Sequence, residues 1–272
     1  MKNLLLITFF VLLTNLVSAQ GNVMVFQSGN SKKSAKKERI EHMMRQAEEG
    51  VLVFNKQNIF GIQGKSLGYG LFYERGKMRT NRKTSLYRID LTEIKSLKQE
   101  KYQSSSGSYL FYGSPFVYGK VNNFYQLGLS YGQQRMLGQK GNRNGVAVSA
   151  VYSGGLSLGF LKPYYLQVMD PATNSPKYIK YSTADSALFL GNRIMGPGGL
   201  SRGWKELQFR PGAQAKAALR FDYGRFNDVV SGIEIGLSAE FFSQKIVIMA
   251  AQDKNKQLFM QGYIALLFGH RK

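Results

Sequence analysis

From Gly145 to Phe160 the chain reads GVAVSAVYSGGLSLGF. The even positions Val146, Val148, Ala150, Tyr152, Leu156, Leu158 and Phe160 are apolar, and only Gly154 interrupts them. The odd positions Gly145, Ala147, Ser149, Val151, Ser153, Gly155, Ser157 and Gly159 are almost all small. A period of two sends these sets to opposite faces of a strand. Globular strands usually stop after about five or six residues, and this run is far longer. One face suits hydrocarbon and the other a narrow interior, the pattern of a transmembrane β-barrel when it recurs.

It recurs. Gly61 to Arg75 reads as one strand, with Leu67, Tyr69, Leu71 and Tyr73 outward and Gly64, Ser66, Gly68 and Gly70 inward. A polar turn at 76–83 leads to Thr84–Ser96, where Tyr87, Ile89 and Leu91 face out and Arg88, Asp90 and Thr92 face in. Val121 to Met136 places Tyr125, Leu127, Leu129 and Tyr131 outward against Gln126, Gly128, Ser130 and Gly132. Ala213–Phe226 sets Leu219, Phe221 and Tyr223 against Lys216, Arg220 and Asp222. Val229–Gln244 sets Ile233, Ile235, Leu237 and Phe241 against Glu234, Gly236, Ser238 and Glu240. Leu258–Gly269 is apolar on both faces, which leaves its orientation open. With the opening segment these make seven strands, and single-chain barrels have an even number. Pro163–Met169, resuming at Tyr178–Tyr181, is the expected eighth. The fold class expected is therefore all-β, an antiparallel transmembrane barrel of eight strands spanning 59–272. Its major outer loop is 170–208, and the long 97–120 connection falls on the periplasmic side, against the usual rule of short periplasmic turns.

The N-terminus has a different pattern. Lys2, the apolar run Leu4–Leu16 and the small residues Val17-Ser18-Ala19 read as a signal peptide over 1–19. Segment 20–58 reads as periplasmic, with a short amphipathic helix within Ser31–Glu49 that lines up Ile40, Met43, Met44 and Ala47. That helix either docks or plugs, or simply covers the lower rim. The chain has no cysteine, which removes lipid attachment at the cleavage site and any disulfide framework. A soluble secreted β-protein is the alternative reading.

Composition adds a formal charge of +21. An exported chain rarely meets nucleic acid, so the partners expected are outer-membrane lipid, including anionic lipopolysaccharide, and acidic protein surfaces. A non-specific solvated basic surface explains the charge equally well. The inward set carries both signs, Arg88, Lys216 and Arg220 against Asp90, Asp222, Glu234 and Glu240. A barrel of eight strands is filled by its own side chains, and buried ions must be paired. These residues are expected to form a structural ion network; lining a narrow pore is the alternative.

No catalytic, cofactor-binding or metal-ligating set is legible. The two histidines, His42 and His270, lie far from the outer rim, and without cysteine no zinc cluster is available. Glu234 and Glu240 are an acid–base pair only in principle, given the cations on the same wall. The run GPGGLSRG at 196–203 lacks the Lys-hydroxyl pair of a phosphate loop. Its glycines suit a tight loop conformation. Trp204, Arg202 and Arg193 in the outer loop are the candidate partner contacts.

The runs FVYGKVNNFYQLGLSYGQQRMLGQKG (116–141), LGFLKPYYLQV (158–168), AKAALRFDYGRFND (215–228) and the ending YIALLFGHRK (263–272) resemble Bacteroidota outer-membrane β-barrel proteins. The resemblance implies an outer-membrane location and supplies no catalytic motif. It also implies a role as an accessory part of a machine for secretion or barrel assembly. The function expected is a non-enzymatic accessory or scaffold barrel with protein partners in the outer membrane or periplasm. A small passive pore and, behind it, a lipid-directed enzyme are the alternatives.

Overall fold

The computed structural model describes residues 54–103, 115–141, 145–224, 228–250 and 256–272. The signal peptide and the amphipathic helix expected within 1–49 lie outside the described residues. Strands β1 (Lys56–Lys65), β2 (Gly68–Thr80) and β3 (Lys83–Ile94) follow one another by two-residue turns. Two short strands, β4 (Lys101–Tyr102) and β5 (Phe116–Val117), precede β6 (Asn122–Gly138) and β7 (Ala147–Pro163). Then come β8 (Tyr165–Met169), β9 (Pro176–Lys180), helix α1 (Ser186–Phe189) and β10 (Ile194–Pro197). The chain ends with β11 (Gln208–Asp222), β12 (Val229–Ile246) and β13 (Lys256–Arg271).

Eight strands close into an antiparallel barrel in the order β1-β13-β12-β11-β7-β6-β3-β2. The eight-strand count holds, but its membership differs in two places. The segment read as one strand from Gly61 to Arg75 is a hairpin, turning at Ser66-Leu67 with Lys65 opposite Gly68. A two-residue turn reverses the parity of the outward face. Phe60, Ile62 and Gly64 point out from β1, whereas Tyr69, Leu71 and Tyr73 point out from β2. Gly64 therefore faces outward, and the barrel starts at Lys56 rather than at 59. The expected eighth strand at Pro163–Met169 is not in the barrel: β8 pairs with β9 and β10 in a separate three-stranded sheet.

This change in parity also re-places the connections. Gln57 lies opposite Arg271, so both ends of the barrel sequence sit at one end, here called the terminal end. That end also carries connections 81–82, 139–146 and 223–228. The other, the loop end, carries 66–67, 95–121, 164–207 and 247–255. The long connection before β6 thus joins the other long loops, and the expected exception to the short-turn rule disappears. The major loop begins at 164 rather than 170. The β8–β9–β10 sheet has a core of its own, formed by Phe116, Leu166, Val168, Ile179, Phe189 and Ile194.

Outside, β13 settles the orientation left open. Leu258, Met260, Ile264, Leu266 and Phe268 face out, and Phe259, Gln261, Tyr263, Ala265 and Leu267 face in. From Leu258 to Phe268 the strand rises ~33 Å, which at a tilt of ~40° gives an apolar band ~25 Å tall. Tyr87 and Tyr131 pair at its terminal-end margin, ring centroids 5.1 Å apart. Tyr125, Trp204, Phe160 and Phe209 cluster at the loop-end margin.

Candidate functional site

Two places concentrate polar chemistry, the lumen and the loop end. The lumen is filled in layers, because alternate residues of every strand must share a narrow interior. Nearest the terminal end, Asp222 accepts from the Arg271 guanidinium and lies 3.7 Å from the Lys140 ammonium. Beside them Gln57 donates to Gln134 at 3.0 Å. In the next layer Arg220 makes a two-pronged contact with Glu74, at 2.7 and 2.8 Å, and also grips Glu234 at 2.6 Å. Glu234 takes a further bond from Arg88 at 2.7 Å and one from the Tyr263 hydroxyl at 2.8 Å. Arg88 rests on the Phe72 ring, 3.6 Å from its centroid, and donates to Asp90 at 3.0 Å. Asp90 is shared with Lys216 at 2.6 Å, and Lys65 closes on Glu240 at 2.8 Å. All of these side chains are buried.

Above the ions comes an apolar cap of Ile94, Phe124, Leu161, Phe242, Ile246, Ile248, Met249 and Phe259. The chain roofs this mouth with its own backbone. The segment after β12 crosses to the start of β6, where Val121 N–H donates to Ile248 O and Ala250 N–H to Gly119 O, each at 2.8 Å. Crossing saves neither segment from the cost of unpaired backbone groups unless they bond each other, which they do.

All seven lumen residues singled out from the sequence, Arg88, Asp90, Lys216, Arg220, Asp222, Glu234 and Glu240, face inward and carry an ion pair. Glu74, Lys65, Lys140, Arg271 and Tyr263 complete the set and were not foreseen. Glu74 has the inward parity of its strand, so its signal was present. Lys65 was hidden by the unrecognised turn beside it. Glu234 and Glu240 each bind a cation in different layers, which leaves neither free to act as base. Among the described residues no cluster of His, Cys, Asp and Glu could hold a metal ion.

At the loop end Trp204 stacks on Tyr125, centroids 6.2 Å apart and planes 12° apart, and its indole N–H donates to Leu200 O at 2.8 Å. The Lys162 ammonium lies 4.5 Å over the indole and also donates to Leu200 O. Trp204 thus belongs to the barrel flank and its aromatic margin. Arg202 lies 3.6 Å over Tyr178 of β9. Arg193 is exposed and joins neither group. Gly199 and Gly203 both take φ +86°, the conformation that favours glycine, so this part of the 196–203 run turns sharply as its composition implied. A cavity of about 220 Å³ lies under it, lined by Asn123, Lys162, Tyr164, Tyr165, Pro197 and Leu200 among others.

Lys120, in the crossed segment before β6, is buried, its ammonium 5.5 Å from the Tyr164 centroid. Burial draws its ammonium from the ordinary 10.5 down to about 8, against an opposing pull from Glu93 and with help from Lys95. The unfolded chain holds this proton up to about 10.5, so burying the charge costs stability below pH 8. That cost fades as pH rises from 8 to 10.5. Lys120→Met should therefore stabilise the barrel by about 1–2 kcal/mol at pH 7. Urea unfolding at pH 7 and pH 10.5 should show the gain at the first and its loss at the second.

No family description matches the chain, and no curated protein matches it in sequence. Several solved β-barrels are similar in structure. The N-terminal β-barrel domain of OprF from Pseudomonas aeruginosa is 10% identical over 79% of this chain and 98% of that one, with a TM-score of 0.37. Neisserial surface protein A is 9% identical over 80% and 97%, with a TM-score of 0.38. Ail, the attachment invasion locus protein of Yersinia pestis, is 11% identical over 81% and 100%, with a TM-score of 0.35. The barrel assignment itself rests on the strand pairing of this chain.

Proposed function

We propose that this chain is a non-enzymatic integral outer-membrane β-barrel that serves as an anchor and scaffold subunit for a larger assembly. The apolar band of a closed barrel supports the membrane location, because hydrocarbon tolerates a sheet only when no edge is left open. The exported N-terminus read over 1–19 and the resemblance to Bacteroidota barrels point to the same compartment. One observation carries the scaffold role: the lumen is filled from one end to the other, while the loop end folds into a sheet with its own core. What the chain can offer a partner is therefore a shaped surface, not a passage. That surface presents Arg202 on Tyr178, with Arg193 and Leu200 exposed on the same 164–207 connection. Loops fixed on a rigid scaffold are where binding usually resides. Anionic lipopolysaccharide is the lipid that the outer leaflet would set against this basic loop end.

The test is purification of the full chain from native outer membrane in mild detergent, with mass spectrometry of what accompanies it. A stoichiometric set of outer-membrane or periplasmic proteins is the expected result. A clean monomer would remove the scaffold reading, and recovery in the soluble fraction would remove the membrane reading as well.

A further inference from the structure

The outward face of the terminal end carries cations that no described side-chain carboxylate answers. Lys56 sits directly opposite Lys77 across β1 and β2, and Lys83 opposite Arg135 across β3 and β6. Arg75 shares the outward face of β2 with Lys77. All five are exposed, and none forms an ion pair among the described residues. Like charges directly opposite on a sheet destabilise it, and here two such pairs stand on four consecutive strands of the barrel.

The described side-chain carboxylates are elsewhere. Five fill the lumen, and Glu93, Glu100, Asp170, Asp185 and Glu206 belong to the loop end. Asp228 lies in the turn between β11 and β12, on the far side of the barrel. Among the described residues no side-chain carboxylate relieves this patch.

Its height on the barrel identifies the source. Arg75 is opposite Tyr87, Tyr87 is opposite Tyr131, and the Arg135 guanidinium stands 5.5 Å over the Tyr152 ring. Tyrosines at the margin of an apolar band sit at headgroup level. Arg75 is level with them, and Lys56, Lys77, Lys83 and Arg135 lie beyond, at the depth of lipid phosphates, where paired donors and a phosphate oxygen make charge-assisted bonds. A soluble acidic protein fits less well, because these cations continue the lipid-facing flank and not the end surface.

We propose that Lys56, Arg75, Lys77, Lys83 and Arg135 form a binding site for the phosphate groups of anionic glycerophospholipids in the leaflet at the terminal end. This rests on the outer-membrane reading, under which that leaflet faces the periplasm.

The test is native mass spectrometry of the full folded chain in neutral detergent, titrated with phosphatidylglycerol or with zwitterionic phosphatidylcholine. Wild type should retain phosphatidylglycerol in strong preference. Lys56→Gln, Lys77→Gln, Lys83→Gln and Arg135→Gln combined should bring the two lipids near parity, since each headgroup-level cation contributes about fivefold. A loop-end control, Lys101→Gln with Lys177→Gln, should keep the preference. Heat-modifiable migration on gels reports folding, and because the four positions are exposed the variant should fold as wild type does.

A folded wild type with no preference, or a variant that keeps it, overturns the site while leaving the barrel intact. Displacement of the lipid by inorganic phosphate would assign the cations to a free anion and overturn the lipid assignment. An acidic protein that accompanies wild type and leaves with the four substitutions would do the same. A chain that never becomes heat-modifiable in detergent or bilayer overturns the membrane reading, and this site with it.

Discussion

Replacing Arg220 with methionine should destabilise the folded barrel by about 3–5 kcal/mol. The guanidinium holds two buried carboxylates, Glu74 and Glu234, and its own side chain is 1% exposed. Loss of the arginine leaves them unequal. Glu234 still has Arg88 at 2.7 Å and the Tyr263 hydroxyl at 2.8 Å, whereas Glu74 keeps only Arg88 at 3.8 Å. Most of the penalty is the uncompensated Glu74 charge. Adding Glu74→Gln to Arg220→Met should therefore recover more than half of the loss, a coupling that a double-mutant cycle reads directly. Urea unfolding from lipid vesicles, followed by heat-modifiable migration, gives the four free energies. An Arg220→Met barrel within about 0.5 kcal/mol of wild type would show that the network contributes nothing to stability, since changes of that size are ordinary at surface positions.

The same residues show what the sequence made legible. Alternation fixes a side-chain face wherever a strand is long and one face is apolar, so Arg88, Arg220, Asp222 and Glu234 could be placed in the lumen from parity alone. Nothing in the alternation says which strand a charge will meet. Arg220 reaches Glu74 across 146 positions of sequence, and that partner follows from barrel closure. The missed turn has a local cause. Ser66-Leu67 contains neither the Asn-Gly nor the Asp-Gly pair that usually marks a two-residue turn, and the surrounding glycines blur the alternation. The trace that remained was a change of parity, from apolar even positions at Phe60 and Ile62 to apolar odd ones at Tyr69 and Leu71. Missing that one turn left two strands before β6 where the barrel has three. It displaced the 95–121 connection to the wrong end and required an eighth barrel strand at Pro163–Met169, most of which is β8 of the separate sheet. Those residues alternate well enough for a strand, and β8 is one. Alternation does not distinguish a barrel wall from the sheet of a packed loop, because either buries one face.

In planar bilayers the purified barrel should show no unitary conductance steps, and this separates a scaffold from a pore more sharply than any binding experiment. An ion crossing the lumen must first displace Phe242, which packs edge to face on Phe124 and Phe259, and those two rings, tilted 33° to each other, with all centroids 5.1 to 6.0 Å apart beneath the crossed backbone of 119–122 and 247–250. It must then pass carboxylates already engaged by cations, with no freely exposed charged wall to replace its hydration. Both barriers are independent of the loop sheet. Replacing Phe124, Phe242 and Phe259 by alanine should lower stability, at about 3–5 kcal/mol for each large core truncation. If that variant still folds, it should stay insulating, because the layer of Glu74, Arg220, Glu234 and Arg88 lies below the cap unchanged. Adding Arg88→Ala and Arg220→Ala removes the bulk and charge of the second barrier, and only that combination should open the barrel. Steps in the wild-type recording would restore the small-pore reading. A wild type that stays closed while the combined variant conducts would mean that side-chain filling alone, in a barrel of ordinary width, keeps this lumen shut.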